Sequence, residues 1–406
     1  MRFTLFDRYT NSALDAKPYS ITGAKYPQIG SYDERVGGTV GGPLKIPHIY
    51  NGSDKTYFFV NYQRETAKNP INTFSTVPTA AERGGLFCGG STIFEPFTTT
   101  PFPSAGAGCQ QIPTSEFATN PAVQGLLSFI PTPNLPSVTG QNYLLQSTTP
   151  LNSDILSTHV LHTINAKFNV NGGYNFSSQR INTLSNFADI GGHQSTRNQS
   201  VSLGLSHNWS PRLVENIALN WSRSRIELLS DNSFGTDIAA NLGITGVSVS
   251  PIDFGIPLVS FTDFSGLNDP IPSLVRNQTL RFSDTFTWTH VKHTMTFGAE
   301  IRRIQLNTNS NPNPRGGFVF TGLATGNDFA DFLLGLPFNT TEQFGNPNLY
   351  LRSWGLAAFA QDDWRVSKTF TLQYGLRYES VTPPVELNDN LVTVSYTHLD
   401  VYKRQA

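Results

Sequence analysis

Few residues in this chain have the type and spacing to do chemistry. His159 and His162 share one strand-like segment, but at that spacing they point to opposite faces. His290 and His293 occupy a turn, in the run His-Val-Lys-His. Asp362 and Asp363 are neighbours, and adjacent strand residues diverge. A metal site or an acid–base pair needs groups that converge in a pocket, and none of these pairs does so by spacing alone. Solvated turn or pore groups are the better account. The dense glycines of Val36–Pro43 suggest a phosphate loop, but no Gly-Lys-Ser/Thr follows. A strand whose glycines let neighbours approach closely fits better. Cys88 and Cys109 are the only cysteines, both in a Gly/Pro/Thr-rich stretch. A loop-closing disulfide is the expectation outside the cytosol, with two free thiols as the alternative. Without histidines at ligand spacing they make no zinc site. There is no Gly-x-Ser-x-Gly, no His-Glu-x-x-His and no EF-hand loop. These absences point away from an enzyme, a metal or a cofactor.

The elements that position these residues are strands. In Lys368–Glu379, Phe370, Leu372, Tyr374, Leu376 and Tyr378 alternate with Thr371, Gln373, Gly375, Arg377 and Glu379. With Leu356–Trp364 before it, and the polar Arg365–Lys368 between, this is an antiparallel hairpin. Trp354, Trp364 and Tyr378 stand near the arm ends, where an interfacial girdle would place them. Similar arms recur around Phe58, Val170, Leu203, Leu219, Phe282 and Phe297, giving about ten to twelve in all. Tilted strands that span a membrane need about 9–11 residues, and these arms reach that length. On the Phe282 arm, Asp284 interrupts the apolar face.

Composition agrees. Only 14% of the 406 residues are charged while 12% are aromatic, 29 of them Phe. Such a chain suits two different solvents on its two surfaces. A net charge of −1 argues against nucleic acid, which calls for a basic face. No run of about 18 apolar residues supplies a transmembrane helix. The negative mean hydropathy does not exclude a barrel, because alternation cancels in any window average.

Irregular stretches separate the arms. From Ala67 to about Ser153 regular alternation stops, apart from one helix. Asn120 caps it, Pro121 opens it, and Val123, Leu126, Leu127 and Ile130 form its stripe. Ile226–Val275 is a second such stretch, with a helical turn or two near Asp237–Leu242. Asp328–Leu336 reads as a short amphipathic helix. Short turns alternating with long loops is the layout of an outer-membrane barrel. The fold class expected is therefore all-β: a partial antiparallel transmembrane β-barrel, one curved sheet with long extracellular loops. In those loops Phe234, Phe254, Phe261 and Phe264 are candidates to stack on a ligand at the outer mouth. Packing of the four among themselves is the plainer alternative.

Several stretches resemble TonB-dependent outer-membrane receptors, in the branch with a carboxypeptidase-regulatory-like N-terminal domain. They are GGTVGGPLKI (37–46), KTYFFVNYQ (55–63), TVPTAAERGGLF (76–87), HTMTFGAEIR (293–302), DFADFLLGLP (328–337) and FAQDDWRVSKTFTLQYGLRYE (359–379). The resemblance implies a monomeric barrel of about 22 strands around a plug. It also implies TonB-energised uptake of a scarce solute such as a siderophore, oligosaccharide or peptide, from the outer membrane and its lipid. The family's signal peptide, plug, TonB box and last strands are not matched, so residues 1–394 read as part of a barrel cut at both ends. Ser395–Gln405 (SYTHLDVYKRQ) resembles a translated sequencing adapter, so 395–406 is set aside. A passive porin-like channel, or a secreted soluble β-sandwich that binds glycans, are the alternatives.

Overall fold

The computed structural model describes residues 1–391 apart from positions 17, 18, 20, 22, 24–27, 91, 107, 137–139, 344, 346 and 347. The reading of 395–406 lies outside the described residues.

One 12-stranded antiparallel sheet dominates. Eleven of its strands follow one another as a meander, in chain order. They are β1 Arg2–Asn11, β2 Tyr32–Pro43, β3 Thr56–Ser75, β4 Tyr143–Asn165, β5 Phe168–Leu184 and β6 Gly191–Ser210. β7 Leu213–Ser230, β8 Ser273–His290, β9 His293–Ser310, β10 Asn348–Arg365 and β11 Thr371–Val381 complete the path. A two-residue piece, Val385–Glu386, adds to β10 beyond the end of β11. β1 and β11 are not joined, so the sheet is open.

A meander puts its connections alternately at two ends. At one end β4–β5, β6–β7 and β8–β9 turn through two residues each, and β10–β11 through five. At the other end lie the segments 76–142, 231–272 and 311–347. The asymmetry expected of an outer-membrane barrel is present.

Register explains the two faces. Residues paired across strands share a face, so a row can be followed through the wall. Phe58, Val160, Gly172, Leu203, Leu219, Phe282, Ile301 and Leu356 make one such row. One residue along, on the opposite face, the row reads Gly173, Ser202, Asn220, Arg281, Arg302 and Gly355. The apolar face has no second protein layer. Leu203, Leu219, Phe282, Leu372, Tyr374 and Leu376 all remain substantially exposed, as lipid-facing side chains would in the absence of lipid.

Four expectations need correction. The strands from β3 to β10 run to 17–23 residues, well past membrane thickness. Ala67–Ser75 and Tyr143–Ser153 are strand, not loop, and likewise Ile226–Ser230 and Ser273–Val275. Pro70 and Pro150 lie inside paired strands, and proline is a poor strand signal, so the pattern reads as a break. Tyr378 pairs with Ala358 at mid-strand rather than at an arm end. Asp328–Leu333 is helical but wholly buried, with no solvent face.

The glycines of β2 act as close-approach positions. A Cβ on Gly37 would come 2.6 Å from the Tyr62 carbonyl oxygen, and one on Gly38 within 2.7 Å of Leu5. Neighbouring side chains fold over these gaps, so an alanine there would force the wall apart.

Most of the packed core lies in the loops. Phe187, Phe329, Phe332, Ile93, Ile112, Ile190, Ile256 and Leu267 are fully buried and belong to one cluster. The helix Pro121–Ser128 contributes Val123, Leu126 and Leu127, and Asn120 Oδ1 accepts from the Ala122 and Val123 amides as its cap. Arg83 reaches across to the carbonyls of Leu127, Ile130 and Pro131 at the other end of that helix. Two loops zip in parallel, Leu258–Phe261 against Gly317–Phe320. Phe94 and Phe97 bond to Thr325 and Ala324, tying in the first loop. The three long segments form one cap.

Candidate pore-facing surface

The inner face of the wall carries the groups best placed to meet a solute. Its middle holds a charge ladder. Arg281 pairs with Glu300 at 2.5 Å, and Arg302 and Arg377 both reach Glu379, at 3.3 and 3.2 Å. Gly355 lets Arg302 lie flat across β10: a Cβ there would meet its guanidinium arm at 2.4–2.7 Å. Charges in mid-wall are tolerable only on a wet face, since lipid penalises them most at that depth.

Toward the loops the inner face of β4–β8 turns neutral, while on β2–β3 Arg35 pairs with Asp33 and Glu65. A groove of about 340 Å³ crosses β4–β8, floored by Asn175, Ser177, Asn198, Ser200, Ser222 and Asn277. Asn175 donates to Ser200 at 3.4 Å and Asn198 to Ser177 at 3.3 Å. The Asn277 Oδ1 is buried without a partner. A buried amide oxygen in that state is costly unless a water or a bound hydroxyl or amine donates to it. The groove presents weak, rearrangeable donors and acceptors, chemistry for a hydroxyl-rich or amide-bearing solute.

The four loop phenylalanines differ in their surroundings. Phe261 and Phe264 are 6.3 Å apart edge to face, and Phe261 also touches the rings of Phe320, Phe329 and Phe332. Those two rings are partly buried against the core of the cap. Phe234 is 65% exposed, its φ of 62° in the left-handed region. Phe254 is half-buried at the end of the turn Pro251–Asp253. Cys88 and Cys109 face each other across paired strands and are joined by a disulfide.

Cross-strand meetings are what reasoning by spacing missed. His293 pairs with Trp364 in register, so its ring reaches Asp362 at 2.6 Å, and Tyr374 donates to the same carboxylate at 2.9 Å. The turn itself is only Val291–Lys292, with both histidines on strand ends. A second cluster stacks Phe168 on His207 at 3.8 Å, with Trp209 donating to Glu215. Both clusters lie on the outer face beside the short turns, where an aromatic, half-polar girdle belongs. His159 and His162 point to opposite faces, and His162 meets Thr56 at 2.7 Å. Among the described residues no group of three or more His, Cys, Asp or Glu is placed to hold a metal.

Inside the cap, two buried acids differ. Asp269 sits against Arg315, Ser230 and the Ile256 amide. Burial still pushes its carboxyl upward, against the pull of that arginine, and pushes the Arg315 guanidinium downward. Asp328 meets amides instead, from Asp263 at 2.6 Å and Phe329 at 2.7 Å, and burial raises it, with the Asp263 charge adding to the push.

The open meander, its apolar outer rows and its single loop-bearing end define a wall of an outer-membrane barrel. The family model for the outer membrane beta barrel domain matches residues 4–401, and the chain belongs to that family and to the outer membrane. No curated protein matches the sequence. Among solved structures, the outer-membrane transporter YddB from Escherichia coli aligns over 93% of this chain and 39% of its own, at 9% identity and TM-score 0.48. The siderophore receptor PirA from Acinetobacter baumannii aligns over 95% of this chain and 39% of its own, at 11% identity and TM-score 0.42. The ferric enterobactin receptor PfeA from Pseudomonas aeruginosa, as a mutant, gives 92% and 39%, at 10% identity and TM-score 0.41. The chain thus spans about two fifths of the length of these three proteins.

Proposed function

We propose that this chain is part of the barrel of an outer-membrane receptor that takes up a scarce solute with energy delivered through TonB. The supporting observation is the division of labour in the wall. One face is dressed for lipid, the other carries paired charges and a hydrogen-bonding groove, and a packed cap stands at one end. The resemblance of 293–302, 328–337 and 359–379 to TonB-dependent receptors supports the energised reading, while the strands alone would serve a passive channel equally well. On this reading residues 1–394 belong to the barrel, 395–406 do not, and the protein works as a monomer. The groove favours an oligosaccharide, a peptide or the amide-bearing arms of a siderophore as the solute.

The test is uptake by the full-length gene product in cells with and without TonB. Uptake that vanishes without TonB supports the proposal; uptake that persists assigns a passive channel. The open sheet described here exposes two strand edges that lipid cannot satisfy. The 406-residue chain alone is therefore expected to give no conductance in a planar bilayer, and steady conductance would contradict the half-wall reading.

A further inference from the structure

The outer face carries a feature that solute uptake does not use. Follow the register upward from the apolar rows toward the long loops. Val201, Trp221 and Leu280 pair across β6, β7 and β8. Two residues further along come Gln199, Arg223 and Gln278, and two beyond those Arg197, Arg225 and Arg276. Three arginines thus stand side by side on neighbouring strands, about 4.8 Å apart in the pairing direction. Like charges directly opposite one another destabilise a sheet, so the arrangement asks for an anion. Glu227 serves Arg225 alone, at 2.5 Å. Among the described residues, Arg197 and Arg276 have no ion pair and are exposed.

Height on the wall identifies the anion. Glu215 marks the short-turn edge of the apolar band on β7. From there to Arg225 is roughly ten residues, ~34 Å along the strand and about 25 Å vertically at barrel tilt, one hydrocarbon thickness. The arginine row therefore stands at the headgroup level of the leaflet beneath the long loops. Below it the same face crosses one polar row, Gln199, Arg223 and Gln278, and then runs into Trp221, Leu219 and Leu203. An occupant must be anionic above and apolar below. Guanidinium binds phosphate through two parallel hydrogen bonds. We propose that Arg197, Arg225 and Arg276 form a docking site for the phosphate-bearing headgroup of a lipid in that leaflet, its chains lying along β6–β8.

The test is native mass spectrometry of the full-length gene product purified in non-ionic detergent. It is challenged in turn with diphosphorylated lipid A, its monophosphorylated form, phosphatidylethanolamine and inorganic phosphate. The diphosphorylated lipid should bind best, and inorganic phosphate at equal concentration should not displace it. R197Q combined with R276Q should weaken that lipid about tenfold or more, while Arg212→Gln, the same charge change at the short-turn end, should leave it unchanged. If the double glutamine variant does not insert, the R197K/R276K pair keeps the charge without the paired bonds and should bind at an intermediate level. Undiminished binding by either double variant overturns the proposal. So does equal loss in Arg212→Gln, or displacement by inorganic phosphate, which would make this a free-anion site.

Discussion

The wall and the cap solve opposite problems with the same residue types. In the wall, Leu203, Leu219, Phe282 and Leu356 touch no second layer, and their burial must come from lipid. In the cap, Phe187, Phe329, Phe332 and Leu333 are closed off from any solvent by one another. The wall's backbone is satisfied by long regular ladders, whereas the cap relies on side-chain caps, a disulfide and buried acids. One region is stabilised mainly by its environment, the other mainly by itself. They should respond differently to the same kind of substitution.

The largest separation is expected from Phe332→Ala. Emptying that fully buried position should cost roughly 3–5 kcal/mol, opening the cap to protease while the wall keeps its β-sheet circular dichroism in detergent. Loss of both signals together would show that the regions are one folding unit. Next comes charge on the two wall faces. Leu219→Arg, at mid-band on the outer face, should cost about 2–4 kcal/mol in a bilayer. Ser202→Arg, on the wet side beside Leu203 and paired only with Gly173 and Asn220, should cost little. Equal penalties from refolding titrations of the full-length gene product in vesicles would sink the assignment of faces.

A smaller effect concerns pH. The Asp328 carboxyl is raised by burial, so the fold holds its proton more tightly than the unfolded chain does. Its contribution is present below the ordinary value of 3.8 and is lost as pH rises through the higher folded value. The cap should therefore become more protease-sensitive as pH climbs through that window, and Asp328→Asn should flatten the trend. A trend unchanged in the variant would assign it to another group. The smallest stability effect belongs to Phe234→Ala, within about 0.5 kcal/mol for an exposed side chain. A clear drop in solute uptake with unchanged stability would mark Phe234 as a ligand contact; no change in either would leave it as surface.

Much of the wall was readable because strand alternation is a local property. Leu372 and Gln373 declare their faces without reference to any partner. The helix at Pro121 was equally local, announced by its asparagine cap and first-turn proline. Encounters between strands were not readable. His293 and Asp362, or Arg197, Arg225 and Arg276, are distant in sequence and meet only once the register is set. The candidate ligand contacts were the weakest part for the same reason. Phe261 and Phe264 were candidates with packing as the plainer alternative, and a parallel strand from another loop supplies Phe320 beside Phe261. Their fate was decided by a partner no local pattern names.

That parallel zip has a mechanical consequence. Leu258–Phe261 hangs from the β7–β8 hairpin and Gly317–Phe320 from the β9–β10 hairpin. Neither can swing outward without breaking the other's ladder. We therefore expect the cap to open as a single leaf, its hinges on two hairpins. Amide hydrogen exchange would report this as a common release rate for both segments, and two separate rates would mean two shutters.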